Sequence, residues 1–175
     1  MKKIKAKKKP QKAPMKNSTK IILYSTAGII LLAVIILMSI ESTAGKITVR
    51  NNSDIKLEYV KAYFVGSEGS LTEDEMLFEN LEKGETSELL LDKIDLAYSE
   101  ANLEVRFKFE GYDELFVDSG YFNDVFKGKI SVRFDNTHDD KVLLKIKAST
   151  GVIPSPQISC NEEHIVNLAE GYVEE

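Results

Sequence analysis

The sequence has little of two residue types that often carry structure or function outside the cell. It has one cysteine and no tryptophan in 175 residues. Because Cys160 stands alone, no disulfide can form within the chain, and the fold must depend on its hydrophobic core. The shortage of cysteine also disfavours a disulfide-rich secreted scaffold. Without tryptophan there is no indole to stack on a sugar, although the abundant carboxylates leave glycoside hydrolysis open.

Acidic residues are missing from the first 40 positions. All 28 of them lie at or after Glu41, whereas residues 1–20 contain nine lysines. The segment from Glu41 onward has 14 basic residues against those 28 acids, which gives it a net charge of −14. Such a segment repels a phosphate backbone, so we predict that the main body of the protein binds no nucleic acid.

Charge of either sign is missing from residues 21–40, where twelve of the 20 side chains are Ile, Leu or Val. At about 1.5 Å of rise per residue this run spans roughly 30 Å, the thickness of a bilayer core. It predicts a transmembrane helix at 21–40, preceded by a disordered basic arm at 1–20 and followed by a short linker at 41–45. A cleaved signal peptide is the alternative, because Ser42-Thr43-Ala44 offers the small residues that a signal peptidase reads.

The distribution of lysine predicts the orientation of this helix. Only Lys46 and Arg50 are basic within ten positions after the run. The positive-inside rule therefore places the N-terminus in the cytoplasm and residues 41–175 outside the plasma membrane. The basic arm is also expected to contact the anionic surface of the lipid bilayer. The predicted contacts are Lys2, Lys3, Lys5, Lys7, Lys8, Lys9, Lys12, Lys16 and Lys20.

From residue 46 onward, apolar and polar side chains alternate as they do in half-buried strands. The clearest case is NLEVRFKFE, and KITVRN, KISVRFD and DKVLLKIKA repeat the pattern, with SELLLD and ELFVD as shorter candidates. In IKLEYVKAYFV the alternation changes phase between Tyr59 and Val60, which predicts a bulge. We therefore predict a mainly β protein, with an antiparallel β-sandwich, Ig-like or similar, at 46–148.

The segment 149–175 is predicted to be a C-terminal tail. Pro154 and Pro156 interrupt both helix and strand. Beyond them, Ser159 and Glu162 have the spacing of a capping box. A helical spacing of apolar residues follows, at Ile165, Leu168, Ala169 and Tyr172. These features predict a short helix at about 161–170.

No set of residues has the spacing of a known catalytic or cofactor site. The sequence lacks a phosphate-binding glycine loop and a nucleophile elbow. Cys160 and His164, even with Glu163, are too few ligands for a structural zinc site. The acidic segment from Asp135 to Asp140 lacks the glycine and the glutamate of a calcium loop. We therefore predict no catalytic residue, no metal and no cofactor.

The best candidate for a partner-binding edge is the aromatic segment GYFNDVF, through Tyr121, Phe122 and Phe126. Its alternative role is to cap the core. The expected function is a single-pass membrane protein whose non-enzymatic extracytoplasmic domain binds a protein, an envelope polymer or another copy of itself. Two alternatives stay open: an exported or anchored envelope enzyme that uses clustered carboxylates, and an accessory subunit that acts through its transmembrane helix.

Overall fold

A computed structural model describes residues 16–41, 45–72, 75–137, 141–151 and 154–174. The chain divides into two compact units, Met1–Ile40 and Glu41–Glu175, which hold one helix and one β-domain. The elements are α1 (Asn17–Glu41), β1 (Gly45–Asn52), β2 (Leu57–Gly66), β3 (Gly69–Ser70), β4 (Met76–Leu81), β5 (Thr86–Leu91), β6 (Ala101–Phe109), β7 (Leu115–Phe122), β8 (Lys129–Asn136), β9 (Lys141–Ser149), β10 (Ile158–Ser159), β11 (Asn161–Asn167) and β12 (Tyr172–Glu174).

Helix α1 is apolar and its described side chains, through Ile36, are all exposed. The span Asn17–Ile36 has a mean hydropathy of 2.1, and its length and composition suit either a membrane anchor or a signal sequence. The hydroxyls of Ser25 and Thr26 donate hydrogen bonds to the carbonyl of Ile22, which satisfies these polar groups within the helix. The helix begins four residues earlier than predicted, so residues 17–20 are helical and the prediction of disorder is wrong for them.

The β-domain consists of two sheets in a sandwich-like arrangement, which confirms the prediction of a mainly β protein. Sheet A has the strand order β12-β11-β9-β8-β1-β5. Sheet B has the order β10-β7-β6-β2-β3, and β4 also pairs with β2. The prediction of a purely antiparallel sandwich is wrong at one place, because β1 pairs parallel with β8 while it pairs antiparallel with β5.

The side chains that alternate inward in the sequence form one core between the sheets. Phe107 of sheet B lies with its ring centroid 5.1 Å from that of Phe134 of sheet A. A second aromatic group packs Phe64 edge-on against Phe122 at 4.9 Å. The predicted bulge in β2 is also present, since the register of β2 against β6 shifts between Leu57 and Tyr59.

The predicted helix at 161–170 is wrong, and the sandwich extends beyond residue 148. Residues Asn161–Asn167 form β11, which pairs antiparallel with β9 along its whole length. The error has a physical cause: of the positions in β11 that point away from solvent, Glu162 and His164 are polar and only Val166 is apolar. The strand alternation is therefore hidden in the hydrophobic pattern, while unrelated apolar residues happen to fall at helical spacing.

Candidate interaction surface

The outer face of sheet B carries a group of polar and aromatic side chains that the strand register places side by side. Lys61 of β2, Arg106 of β6 and Phe116 of β7 are opposite one another in a row. Tyr63 and Glu104 are opposite each other in the next row. Because side chains that are neighbours across strands lie about 4.5–5.5 Å apart, these rows form a continuous surface.

Arg106 lies at the centre of this face and contacts four neighbours. Its Nε atom lies 2.7 Å from the hydroxyl of Tyr63 and 2.5 Å from Oε1 of Glu104. Its Nη1 atom lies 3.1 Å from Oε1 of Glu114, and the guanidinium lies 4.9 Å from the ring centroid of Phe116. The hydrogen bond with Tyr63 and the nearby carboxylates raise the pKa of Arg106, so its positive charge is fixed.

Two tyrosines extend the network. The hydroxyl of Tyr59 donates a hydrogen bond of 2.5 Å to Oε2 of Glu114, and that of Tyr63 donates to Glu104. The hydrogen bond from Tyr59 lowers the pKa of Glu114, whereas burial, followed by the charge of Glu104, raises the pKa of Asp118 at the end of the face. Side chains held in this way lose little conformational freedom when a partner binds.

We expect the phenol of Tyr59 to titrate near pH 12, instead of about 10 for a free tyrosine, because its hydrogen bond to Glu114 raises the pKa to about 12. Because the folded chain has the higher pKa, this hydrogen bond stabilises the fold fully below the pKa of Tyr59 in the unfolded chain. That stabilisation is lost as the pH rises through the pKa of the folded chain. The difference in tyrosinate absorbance between the native chain and the Tyr59→Phe variant measures this titration.

Glu114→Gln should lower the midpoint of that difference titration, since the charged acceptor is removed. Glu110→Gln removes an exposed acid that is not among the groups shifting the pKa of Tyr59, and it should leave the midpoint where it was. A midpoint near 10 in the native chain, or the same shift in both variants, would show that Glu114 does not control Tyr59.

An exposed loop adjoins this face. Tyr98 is 95% exposed and has a φ of +64°, and Glu100 has a φ of +47°. A depression of about 360 Å³ lies beside them, and its lining includes Gly66 and Asp118. Left-handed backbone at residues other than glycine costs about 1–3 kcal/mol and is concentrated at functional sites. The loop thus presents an aromatic side chain next to the outer face of sheet B.

A groove of about 620 Å³ lies on the other side of the face, where the edge of β7 meets β11 and β12 of sheet A. Both sheets supply its lining, which consists of Phe116, Val117, Asp118, Glu162, Glu163, His164 and Val173. Exposed side chains of β7, such as Phe116, and half-buried side chains of β11, such as His164, line the groove together because the two strands meet at this corner.

Glu162 joins the two sheets at the end of the groove. Its Oε2 atom accepts a hydrogen bond of 2.9 Å from the hydroxyl of Ser119, and its Oε1 atom accepts one of 2.9 Å from the backbone N–H of Gly120. The Nε2 atom of His164 lies 3.4 Å from Oε2, but it is enclosed and has no hydrogen-bond partner among the described residues. The carboxylate therefore satisfies a backbone donor that no strand covers.

The predicted binding edge is only partly at the surface. Tyr121 is 40% exposed, whereas Phe122 and Phe126 are fully buried. Their rings pack together at 5.5 Å, and Phe126 also forms an isolated bridge with Ile94. Phe122 and Phe126 therefore belong to the core and cannot contact a partner, which corrects the prediction for these two residues.

The other candidate residues are accounted for as far as the structure describes them. Cys160 is buried, and burial raises the pKa of its thiol. Within the described ranges, no three His, Cys, Asp or Glu side chains are placed to hold a metal ion. Asp135 is bound by Asn52 and Arg133, while residues 138–140 lie outside the described residues. Lys16 and Lys20 are exposed, and the other seven lysines also lie outside.

Comparisons with protein-family models, with curated proteins and with solved structures find no match for this chain. The function must therefore be inferred from the surface itself. Sequence reasoning missed the network around Arg106, although a signal was present: Tyr63, Glu104 and Arg106 occupy outward positions of strands that the alternation correctly predicted. What the sequence lacked was the register that brings them together.

Proposed function

We propose that this chain is a single-pass protein of the plasma membrane, with its N-terminus in the cytoplasm, that displays an extracytoplasmic β-sandwich of the Ig-like or a similar type for non-enzymatic binding of a partner protein. The observation that carries the proposal is the ordered network around Arg106 on the outer face of sheet B. Arg, Tyr and Phe are enriched in protein interfaces, and Tyr and Arg are especially frequent at their hot spots.

The geometry of this face favours binding in two ways. Phe116 is 51% exposed, although the guanidinium of Arg106 covers part of its ring. The carboxylates of Glu104 and Glu114 hold that guanidinium in place, so a partner meets a surface that is already ordered. An interface that does not have to immobilise its own side chains retains more of its interaction energy.

The membrane part of the proposal rests on charge and length. From Ile21 to Ile36 the exposed side chains of α1 are mostly apolar on all sides of the helix, which is typical of a helix surrounded by lipid. Nine lysines precede the apolar run and an acidic segment follows it.

A reporter enzyme that is active only outside the membrane should therefore be active when fused after Glu175 and silent when fused after Lys16. The reverse pattern would contradict the proposed orientation, and a mature chain beginning at Gly45 would contradict the anchor.

The binding proposal is tested with a photoreactive amino acid in cells. Placed at Phe116, it should crosslink one partner protein reproducibly; placed at Ser131, which is exposed on sheet A, it should not. The purified partner should then bind the full chain in nanodiscs, and Arg106→Ala should weaken binding by about tenfold or more, as expected for an interface hot spot. Equal crosslinking from both positions, or unchanged affinity of the variant, would contradict the proposal.

A further control concerns the helix. Exchanging residues 21–40 for an unrelated spanning sequence should leave partner binding intact, because the proposed surface lies wholly in the β-domain. If the exchange abolishes binding while Arg106→Ala does not, the chain acts through its helix.

A further inference from the structure

The edge of β7 is the most informative feature that the proposed function does not use. On one side β7 pairs with β6 from Leu115 to Phe122. On the other side, in the part of the chain that the structure describes, β10 pairs only with Tyr121 and Phe122. Glu162 accepts the N–H of Gly120 where that pairing stops. Residues 115–118 thus form a strand edge without a strand partner beside the groove, whereas Ser119 is buried against Glu162. An unpaired edge is a template for another strand.

The chemistry of the groove indicates what kind of strand fits there. The cations beside it already bind acids: Lys145 lies 3.1 Å from Glu163, and Arg106 binds Glu104. Asp118 and Glu162 therefore leave the groove with a negative charge. Apolar walls accompany that charge, since Val173 also lines the groove. A strand that alternates basic and aliphatic side chains matches both properties, because successive side chains point to opposite faces.

We propose that residues 115–118 of β7 bind an extended, basic segment of a partner protein as an additional strand of sheet B. This inference rests on the proposed function, because it names the class of partner for the surface that includes Phe116. Backbone hydrogen bonds would supply much of the affinity, and the alternate side chains would supply specificity. The basic side chains would lie beside Asp118 on the outer face, and the aliphatic ones beside Val117 in the groove.

The charge argues against a second copy of the same chain as the occupant. Two β7 edges placed together would bring Asp118 and the acidic groove of one copy against those of the other, and facing like charges are destabilising. An edge of four residues spans about 13 Å at 3.3 Å per residue, which suits a short extended peptide.

The test uses the full chain in nanodiscs of zwitterionic phosphatidylcholine, so that a basic peptide has no anionic lipid to bind. The probe is a blocked octapeptide of alternating Lys and Val. One comparison peptide replaces Lys with Glu, and a second carries N-methyl groups on all its backbone amides, which removes the hydrogen-bond donors from both of its edges. Affinity is measured by fluorescence anisotropy, and the bound segment is located by hydrogen–deuterium exchange.

The basic peptide should bind saturably and slow exchange in residues 115–120, whereas both comparison peptides should bind at least about tenfold more weakly. Asp118→Lys should weaken binding by a similar factor. The matched control is Asp92→Lys, which makes the same charge change at an exposed position just after β5, on the far edge of sheet A.

Three results would overturn strand addition: no saturable binding, slowed exchange only outside β7, or equal binding of the N-methylated peptide. The thermal unfolding of both variants shows that the fold is retained. A partner crosslinked at Phe116 that depends on Arg106, together with failure of the peptide test, would leave the proposed function standing and reject only the mode of binding.

Discussion

A chain that ends at Ser149 is expected to lose the cooperative unfolding transition of the β-domain. The deletion removes β10, β11 and β12, and with them the buried side chains of Cys160, Val166 and Leu168. Burying an aliphatic side chain contributes about 1.5–3 kcal/mol. The deletion also removes the strand partner of β9 along its outer edge and that of β7 at Tyr121 and Phe122. The summed loss is comparable to the whole stability of a domain, which is about 5–15 kcal/mol.

Urea denaturation in detergent micelles, followed by circular dichroism and tyrosine fluorescence, measures this effect. A chain that ends at Glu170 is the matched control, because it removes only β12, which pairs with three residues of β11. It should retain a sharp transition and lose about 1–2 kcal/mol from the partly buried Val173. A sharp, unshifted transition in the chain ending at Ser149 would mean that the last strands do not belong to the domain.

Gly120→Ala is expected to destabilise the β-domain by roughly 2–5 kcal/mol, from two separate causes. Gly120 has a φ of +75°, and an L-residue in the left-handed region costs about 1–2 kcal/mol. A Cβ atom at this position would also lie 2.5 Å from Cβ of Cys160 and 2.9 Å from the carbonyl oxygen of Ser159. Overpacking of this kind costs typically about 1–3 kcal/mol.

Gly111→Ala separates the two causes. Gly111 has a nearly equal φ of +82°, but nothing lies within 4 Å of the position where its Cβ would be. The control should therefore lose only the backbone contribution of about 1–2 kcal/mol. The difference between the two midpoints in urea measures the cost of the close approach of β7 to Cys160, where the chain passes from β10 to β11. Equal losses of stability would mean that the chain at Cys160 moves aside at no cost.

The fold was most predictable where one face of a strand is purely apolar. In β6, Leu103, Val105 and Phe107 alternate with charged residues, and the burial pattern agrees with the prediction except at Glu104, which is buried beside Tyr63 and Arg106. In β11 the inward positions of Glu162 and His164 are polar, so hydrophobicity alone could not show the strand. Burial of such residues depends on partners from elsewhere, such as Ser119, and a local pattern does not contain those partners.

The candidate site was less predictable than the strands that carry it. Alternation states which side chains point outward, but it does not state which strands are neighbours. The parallel pairing of β1 with β8 joins Ile47 to Ile130, and no local pattern encodes a contact across such a separation. For the same reason the sequence could not decide between a binding edge and a place in the core for Phe122 and Phe126, which the structure buries.

The position of β1 determines how the β-domain responds to mechanical load. β1 is an inner strand of sheet A, with six residue pairs to β5 on one side and seven to β8 on the other. Tension applied through the chain before Gly45, along the direction of β1, loads both ladders in shear. The hydrogen bonds must then yield together instead of one after another. If the domain is tethered through its first strand and binds through sheet B, as proposed, these two ladders would carry the load together.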